Sequence, residues 1–270
     1  MFRPRRPRRI TGLSINMMIP NILTLLALCA GLTAIRFGLH ENWQMAVLSI
    51  LLAGILDGLD GRVARLLQGT SKFGAELDSL SDFVSFGVAP AMVLYFWSMQ
   101  RAGGIGWALV LLYAVCMALR LARFNTMIGQ PDLPSWAFNF FTGVPAPAAA
   151  GLVLLPMMIS FQHESLAPFA HPGVSAVLLV IVSFLMVSKI PTFSGKRFRV
   201  PHAYVLPVMV MMALLAAFLV TAPWTTVTGV TLLYGATIPF SAAAFRRLKK
   251  QTEDLRAIEP MQSDDNHPKA

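Results

Sequence analysis

Eight stretches of this chain are long and apolar enough to cross a lipid bilayer, and they constrain the fold more than any single motif does. A spanning helix needs about 20 mostly apolar residues. Such segments lie at roughly 17–37, 43–67, 74–99, 104–124, 143–161, 172–190, 203–220 and 223–245. The last two are separated only by a turn near Thr221–Pro223, and counts of six or seven spans are also compatible with the pattern. Within hydrocarbon each segment must satisfy its own backbone polar groups, which helices do. The expected fold is therefore all-α: a polytopic transmembrane helical bundle. Composition agrees, with 56% hydrophobic and only 13% charged residues, against about 25% charged in soluble domains. The first apolar run follows a basic segment, as in a signal peptide. It is longer than such a signal needs and shows no small-residue cleavage site, so it is read as a retained span.

The distribution of Lys and Arg fixes the orientation. With eight spans both termini share one side, and that side receives every basic residue except Arg36 and Arg101. Arg3, Arg5, Arg6, Arg8 and Arg9 precede the first span; Arg62, Arg65 and Lys72 surround the second turn. Arg120 and Arg123 end the fourth span, Lys189, Lys196, Arg197 and Arg199 lie between the sixth and seventh, and the rest fall in the tail. Both termini are expected in the cytoplasm. The formal net charge of +9 is thus accounted for by topology and anionic headgroups, and no nucleic acid is needed. Cys29 and Cys116 sit inside apolar runs, with no disulfide or metal spacing.

Against this background the acidic residues stand out. Asp57, Asp60, Glu76, Asp78 and Asp82 fall in or beside the second and third spans, where an ionisable group is costly unless paired or hydrated. Asp57 and Asp60 are at i, i+3, and Asp78 and Asp82 at i, i+4, so each pair shares a helix face. The two helices run antiparallel through the short turn 67–73, which brings the four carboxylates to similar depth. Such a set suits hard divalent cations, Mg²⁺ or Mn²⁺. Gly58, Gly61, Ala64, Gly69 and Gly74 leave room at this end for a bulky polar ligand, and Arg65 and Lys72 add positive charge. Divalent cations with Arg suit a phosphate-containing substrate. Two other readings stand beside this one. Small residues also serve as packing notches between membrane helices, and paired aspartates also serve as a cation or proton relay in an ion transporter. Glu76 is off the pattern and reads as a solvated turn residue.

The run Asp57-x2-Asp60-Gly61-x2-Ala64-Arg65-x8-Gly74-x3-Asp78-x3-Asp82 resembles, at every fixed position and gap, the motif of the CDP-alcohol phosphatidyltransferase family. Ile19-Pro20-Asn21-Ile22-Leu23-Thr24 is similar to that family's opening. The segments 76–90, Arg120-Leu121-Ala122-Arg123-Phe124-Asn125 and 141–147 resemble its branch of bacterial integral-membrane phosphatidylserine synthases. The resemblance implies a six-helix catalytic core, often dimeric, at 17–200. Additional helices would follow at 201–246, between a basic cytoplasmic segment at 1–16 and a disordered cytoplasmic tail at 247–270. It implies transfer of a phosphatidyl group from CDP-diacylglycerol to L-serine, giving phosphatidylserine and CMP, at the cytoplasmic face of a bacterial inner membrane. Family members with glycerol phosphate, inositol phosphate or choline as acceptor are the alternative. By motif match Asp57, Asp60 and Asp78 would be ligands of two metal ions. Asp82 would be a shared ligand or the general base, and Gly61, Ala64, Arg65 and Gly74 would lie on the nucleotide side.

For the acceptor, Arg120 and Arg123 share a face at i, i+3 at the end of the fourth span, on the same side of the membrane as the aspartates, and Asn125 follows. The planar fork of Arg binds a carboxylate with two hydrogen bonds. The same arginines would equally hold the lipid diphosphate, or anchor the helix end among headgroups. Lys189, Lys196 and Arg197 are rival carboxylate partners.

Overall fold

A computed structural model describes residues 15–67, 71–127, 140–162, 170–188, 191–193, 204–241 and 243. Within them a helix occupies each expected span. These are α1 (Ile15–Leu39), α2 (Trp43–Leu66), α3 (Lys72–Asp82) continuing into α4 (Ala89–Trp97), α5 (Gly103–Met127), α6 (Ala146–Ser160), α7 (Pro172–Val187), α8 (Val205–Thr221) and α9 (223–241). Met18–Leu39, Lys72–Trp97 and Met99–Thr126 are each long and apolar enough to span a bilayer, and α6, α7 and α8 are shorter apolar helices. Large apolar side chains such as Leu52, Ile55, Leu119, Phe184 and Leu206 point outward, as in a protein whose solvent is lipid. This is an integral membrane helical bundle. The basic N-terminal residues before 15, Lys189, Lys196, Arg197 and the tail lie outside the described residues.

Lipid is as apolar as Leu, so the bundle is held by close packing and interhelical hydrogen bonds rather than by hydrophobic exclusion. α6 shows the first device. It is apolar all round and most of its side chains are buried, Ala146, Ala149 and Ala150 among them, so it is the central helix of the core. α1 shows both. Ala27, Ala30 and Ala34 are buried, and a Cβ added to Gly31 would stand 2.8 Å from Ser85 Cα, so only glycine permits this approach. The Ser85 and Ser81 hydroxyls donate to the carbonyls of Ala27 (3.2 Å) and Thr24 (3.1 Å) across the contact.

The third span is not one uniform helix. A π-helical turn, Phe83–Val88, begins immediately after Asp82. Residue 90 is proline and has no N–H to return to the carbonyl of Phe86. The buried Tyr113 hydroxyl of α5 donates to that carbonyl instead, at 2.8 Å. π turns cluster at functional sites, and this one sets how α4 leaves the acidic cluster. Among the described residues the one non-helical pairing is a pair of antiparallel strands, β1 (Phe140–Thr142) and β2 (Pro191–Phe193). It joins the segment before α6 to the segment after α7, and neither strand was expected from the sequence.

α8 buries none of its residues. α9 packs on α6: the Trp224 and Phe161 rings meet edge to face at 4.9 Å, and Gln162 Nε2 donates to Thr228 Oγ1 at 3.0 Å.

Candidate active site

The acidic cluster forms where the C-terminal half of α2 meets α3. One carboxylate oxygen from each of Asp57, Asp60 and Asp78 lies within 4.8 Å of the others. Helical periodicity is the local reason: residues three or four apart rise on one face, and the short connection after Leu67 returns the chain beside itself. Ser71 starts α3 by accepting the Gly74 N–H at 2.9 Å. The fourth carboxylate, Asp82, is outside this trio. It lies against Asp57, the two carboxyls within hydrogen-bonding reach of each other, and Arg120 of α5 is its nearby cation.

Asp60 is 4% exposed. The Thr24 hydroxyl of α1 donates to its Oδ2 at 2.6 Å, and the Gly61 N–H supplies a second donor. A short bond to a carboxylate is the strong kind. Thr24 was quoted in the sequence only as part of the opening segment. Its signal was Pro20-Asn21-x2-Thr24, which lies one helix away from the motif.

On the side of Asp60 and Asp78 opens a cavity of about 380 Å³. Gly61, Ala64, Arg65 and Gly74, the four nucleotide-side candidates, all line it, together with Asn21, Thr24 and Ser71. A Cβ on Gly74 would stand 2.9 Å from Asn21 Oδ1, so a larger residue there would push into the wall. Glu76 is exposed and outside the cluster.

The three described acceptor candidates separate. Arg120 is on the Asp82 side, and its Nε is buried with no hydrogen-bond partner among the described residues. Arg123 turns away: it donates to the carbonyls of Val187 (2.8 Å) and Ser188 (3.2 Å), closing the C-terminus of α7. Asn125 donates to Ser79 Oγ at 2.9 Å, which ties α5 to α3. The site thus has two sides: a cavity with Arg65 next to Asp60 and Asp78, and a buried guanidinium next to Asp82.

The donor set fits a hard divalent cation. It is all carboxylate oxygen, close-set, and it includes a buried member steadied by a hydroxyl. Such a set can hold a cation against an anionic group such as a phosphate, and the Asp82 carboxyl stands beside it, against Asp57.

The family model described as CDP-alcohol phosphatidyltransferase matches residues 17–249. A Mycobacterium tuberculosis protein named CDP-diacylglycerol--serine O-phosphatidyltransferase is 40% identical over 252 residues, which cover 92% of this chain and 86% of that one. Proteins of the same name from Helicobacter pylori and Bacillus subtilis are 38% and 39% identical. They cover 67% and 64% of this chain, and 75% and 88% of their own lengths. The mycobacterial match is long enough that it takes in α8 and α9, so similarity continues past residue 200.

Proposed function

The chain belongs to the CDP-alcohol phosphatidyltransferase family, and from that premise we propose that it transfers the phosphatidyl group of CDP-diacylglycerol to L-serine, releasing CMP. The close approach of Asp57, Asp60 and Asp78, with Asp82 against Asp57, in a chain similar over 92% of its length to an enzyme of that name, carries the reading.

Asp57, Asp60 and Asp78 would hold the divalent cations, two ions of Mg²⁺ or Mn²⁺, with Asp82 as a shared ligand or the base. When bound, such ions supply Lewis-acid charge against a diphosphate and its leaving group. Arg65 and the small residues Gly61, Ala64 and Gly74 receive the nucleotide side of the lipid in the cavity. Arg120 holds the serine carboxylate, for which its buried, unmatched N–H is suited. The serine hydroxyl oxygen then bonds to the phosphorus of the phosphatidyl group. The bond from that phosphorus to the CMP oxygen breaks, and the hydroxyl proton passes to Asp82. Residues 17–200 act as the catalytic membrane core and 201–246 as added helices, with both ends and the site facing the cytoplasm of a bacterial inner membrane, as a homodimer.

The test is an acceptor panel on the purified protein with CDP-dioleoylglycerol and Mn²⁺, scored by CMP release and by the lipid formed. Serine is expected to give phosphatidylserine. Product from glycerol phosphate, inositol phosphate or choline, with none from serine, overturns the acceptor. No CMP with any of them overturns the reaction.

A further inference from the structure

In the eight-span reading of the sequence, Arg36 and Arg101 alone among Lys and Arg fall at the end of the bundle opposite the acidic cluster. The structure gives Arg101 a setting. It lies in the short turn Met99–Ala102 between α4 and α5. A cavity of about 310 Å³ opens there toward the α1–α2 turn, lined by Glu41, Trp43, Phe96, Trp97, Gln100 and Arg101. Arg101 also lines a second cavity, of about 550 Å³, whose walls include the apolar Met99, Ile105, Leu109 and Ala176. Both volumes are of the usual size for ligand pockets, about 300–1,000 Å³. Trp43 opens α2, and Asp57 stands about 20 Å further along that helix at ~1.5 Å per residue. Neither cavity belongs to the acidic site.

Glu41 is the second notable member. α1 closes with the Asn42 N–H donating to the Phe37 carbonyl at 2.9 Å, a closure that sets the residue before Asn42 in the left-handed region. Glycine is the ordinary residue at that position. Here it is glutamate, with φ 57°, a conformation uncommon for a residue with a Cβ. It places a carboxylate in the cavity wall that also holds Arg101. Both side chains are exposed, and among the described residues neither the carboxylate nor the guanidinium is held by a hydrogen bond or an ion pair. The polar cavity therefore offers one cation and one anion, not paired with each other, among three aromatic side chains. A guanidinium suits a phosphate. A carboxylate beside Trp and Phe suits an ammonium. The apolar cavity that shares Arg101 suits a hydrocarbon chain attached to the same phosphate.

We propose that this end of the bundle binds a phospholipid whose zwitterionic headgroup carries an ammonium. Its phosphate lies at Arg101, its ammonium at Glu41 near Trp43 and Trp97, and an acyl chain in the adjoining apolar cavity. The site is separate from the acidic cluster and does not depend on the reaction proposed above.

The experiment titrates the full-length protein in detergent with dioleoylphosphatidylethanolamine and follows the tightest-bound lipid by native mass spectrometry. Arg101→Gln and Glu41→Gln should each weaken that lipid about tenfold or more, the size of one lost charge-assisted hydrogen bond. Arg36→Gln removes the other arginine at this end, which lines neither cavity, and should leave the affinity as in wild type. Dioleoylphosphatidylglycerol keeps the phosphate and lacks the ammonium. Arg101→Gln should weaken it, and Glu41→Gln should not. Unchanged phosphatidylethanolamine binding in Arg101→Gln or Glu41→Gln overturns the proposal. So does an equal loss in Arg36→Gln, or an equal loss of both lipids in Glu41→Gln. Displacement of the lipid by an equal concentration of glycerophosphoethanolamine would overturn a lipid as the occupant. If Glu41→Gln does not fold, Glu41→Gly is read in its place, since glycine suits the left-handed position.

Discussion

Thr24→Val is the most informative single substitution, because it changes one hydroxyl to a methyl on a helix that carries no ligand. The side chain keeps its branch and nearly its volume, and Thr24 is 4% exposed, so packing against Asp60 is preserved. What is lost is the 2.6 Å hydrogen bond to Asp60 Oδ2. A hydrogen bond to a charged group contributes about 1.5–3 kcal/mol. The Gly61 N–H remains, so Asp60 keeps one donor and the lower half of that range applies. Loss of an outer partner typically costs about 10–100-fold in metal affinity or activity, and the two figures agree near the 10-fold end. The assay is CMP release against rising Mn²⁺. The activation midpoint should move to about 10-fold higher Mn²⁺, with the maximal rate much less affected, and Thr24→Ser should restore it. Wild-type activation by Mn²⁺ in Thr24→Val would refute the reasoning, as would a Thr24→Ser variant as impaired as the valine.

Other outcomes follow from the same geometry. Asp57→Ala, Asp60→Ala and Asp78→Ala should each leave the protein in the membrane and nearly abolish turnover. EDTA should do so reversibly, and full activity in chelator would exclude the cation reading. Asp82→Asn keeps the shape and removes the proton acceptor. It should retain CDP-dioleoylglycerol binding while kcat falls about 10²–10⁴-fold, and normal turnover would remove Asp82 from the role of base. A cysteine replacing Gln100, in the turn before α5, should be labelled from outside the cytoplasm. One replacing Lys196 should be labelled only from inside, and the reverse pattern would overturn the orientation.

The acidic cluster was legible because helical periodicity is a local rule. Asp57 with Asp60, and Asp78 with Asp82, each share a face whatever the rest of the chain does, and one short turn brings the pairs together. The four small or basic residues lining the cavity were legible for the same reason, since all lie between those aspartates. Asp82 shows the limit of that rule. Its spacing puts it on the right face, yet it stands beside Asp57 and Arg120 rather than in the trio. The residues that were missed come from other helices. Thr24 and Asn21 reach the site only through packing, and Arg123 could not be seen to close α7 before the end of α7 was placed beside it. The π turn was hidden too. Pro90 was visible, but the hydroxyl that makes its missing N–H tolerable belongs to Tyr113, 23 residues further on.

One pattern in α3 joins these observations. From residue 78 the chain reads Asp-Ser-Leu-Ser-Asp-Phe-Val-Ser, an unusual run for a membrane helix. The aspartates at 78 and 82 share one face, and the serines at 81 and 85 share the face beside it. α3 buries only Ser81, so apolar packing does little to hold it. Its place is set instead by polar ties: Ser81 and Ser85 to the α1 backbone, and Ser79 to Asn125 of α5. Each such bond between membrane helices contributes only about 0.6 kcal/mol on average, so the three together give about 2 kcal/mol. That is small beside the mutual repulsion of carboxylates brought this close in a low-dielectric bundle. The ties can therefore orient α3 but cannot by themselves hold Asp78 and Asp82 against Asp57 and Asp60. That repulsion is relieved by a proton shared where the Asp57 and Asp82 carboxyls meet and by the Arg120 charge on the Asp82 side, and divalent cations would relieve it on the other. On this argument the serines orient α3, and the charge balance at the cluster, to which bound cations would contribute, sets how closely the aspartates approach.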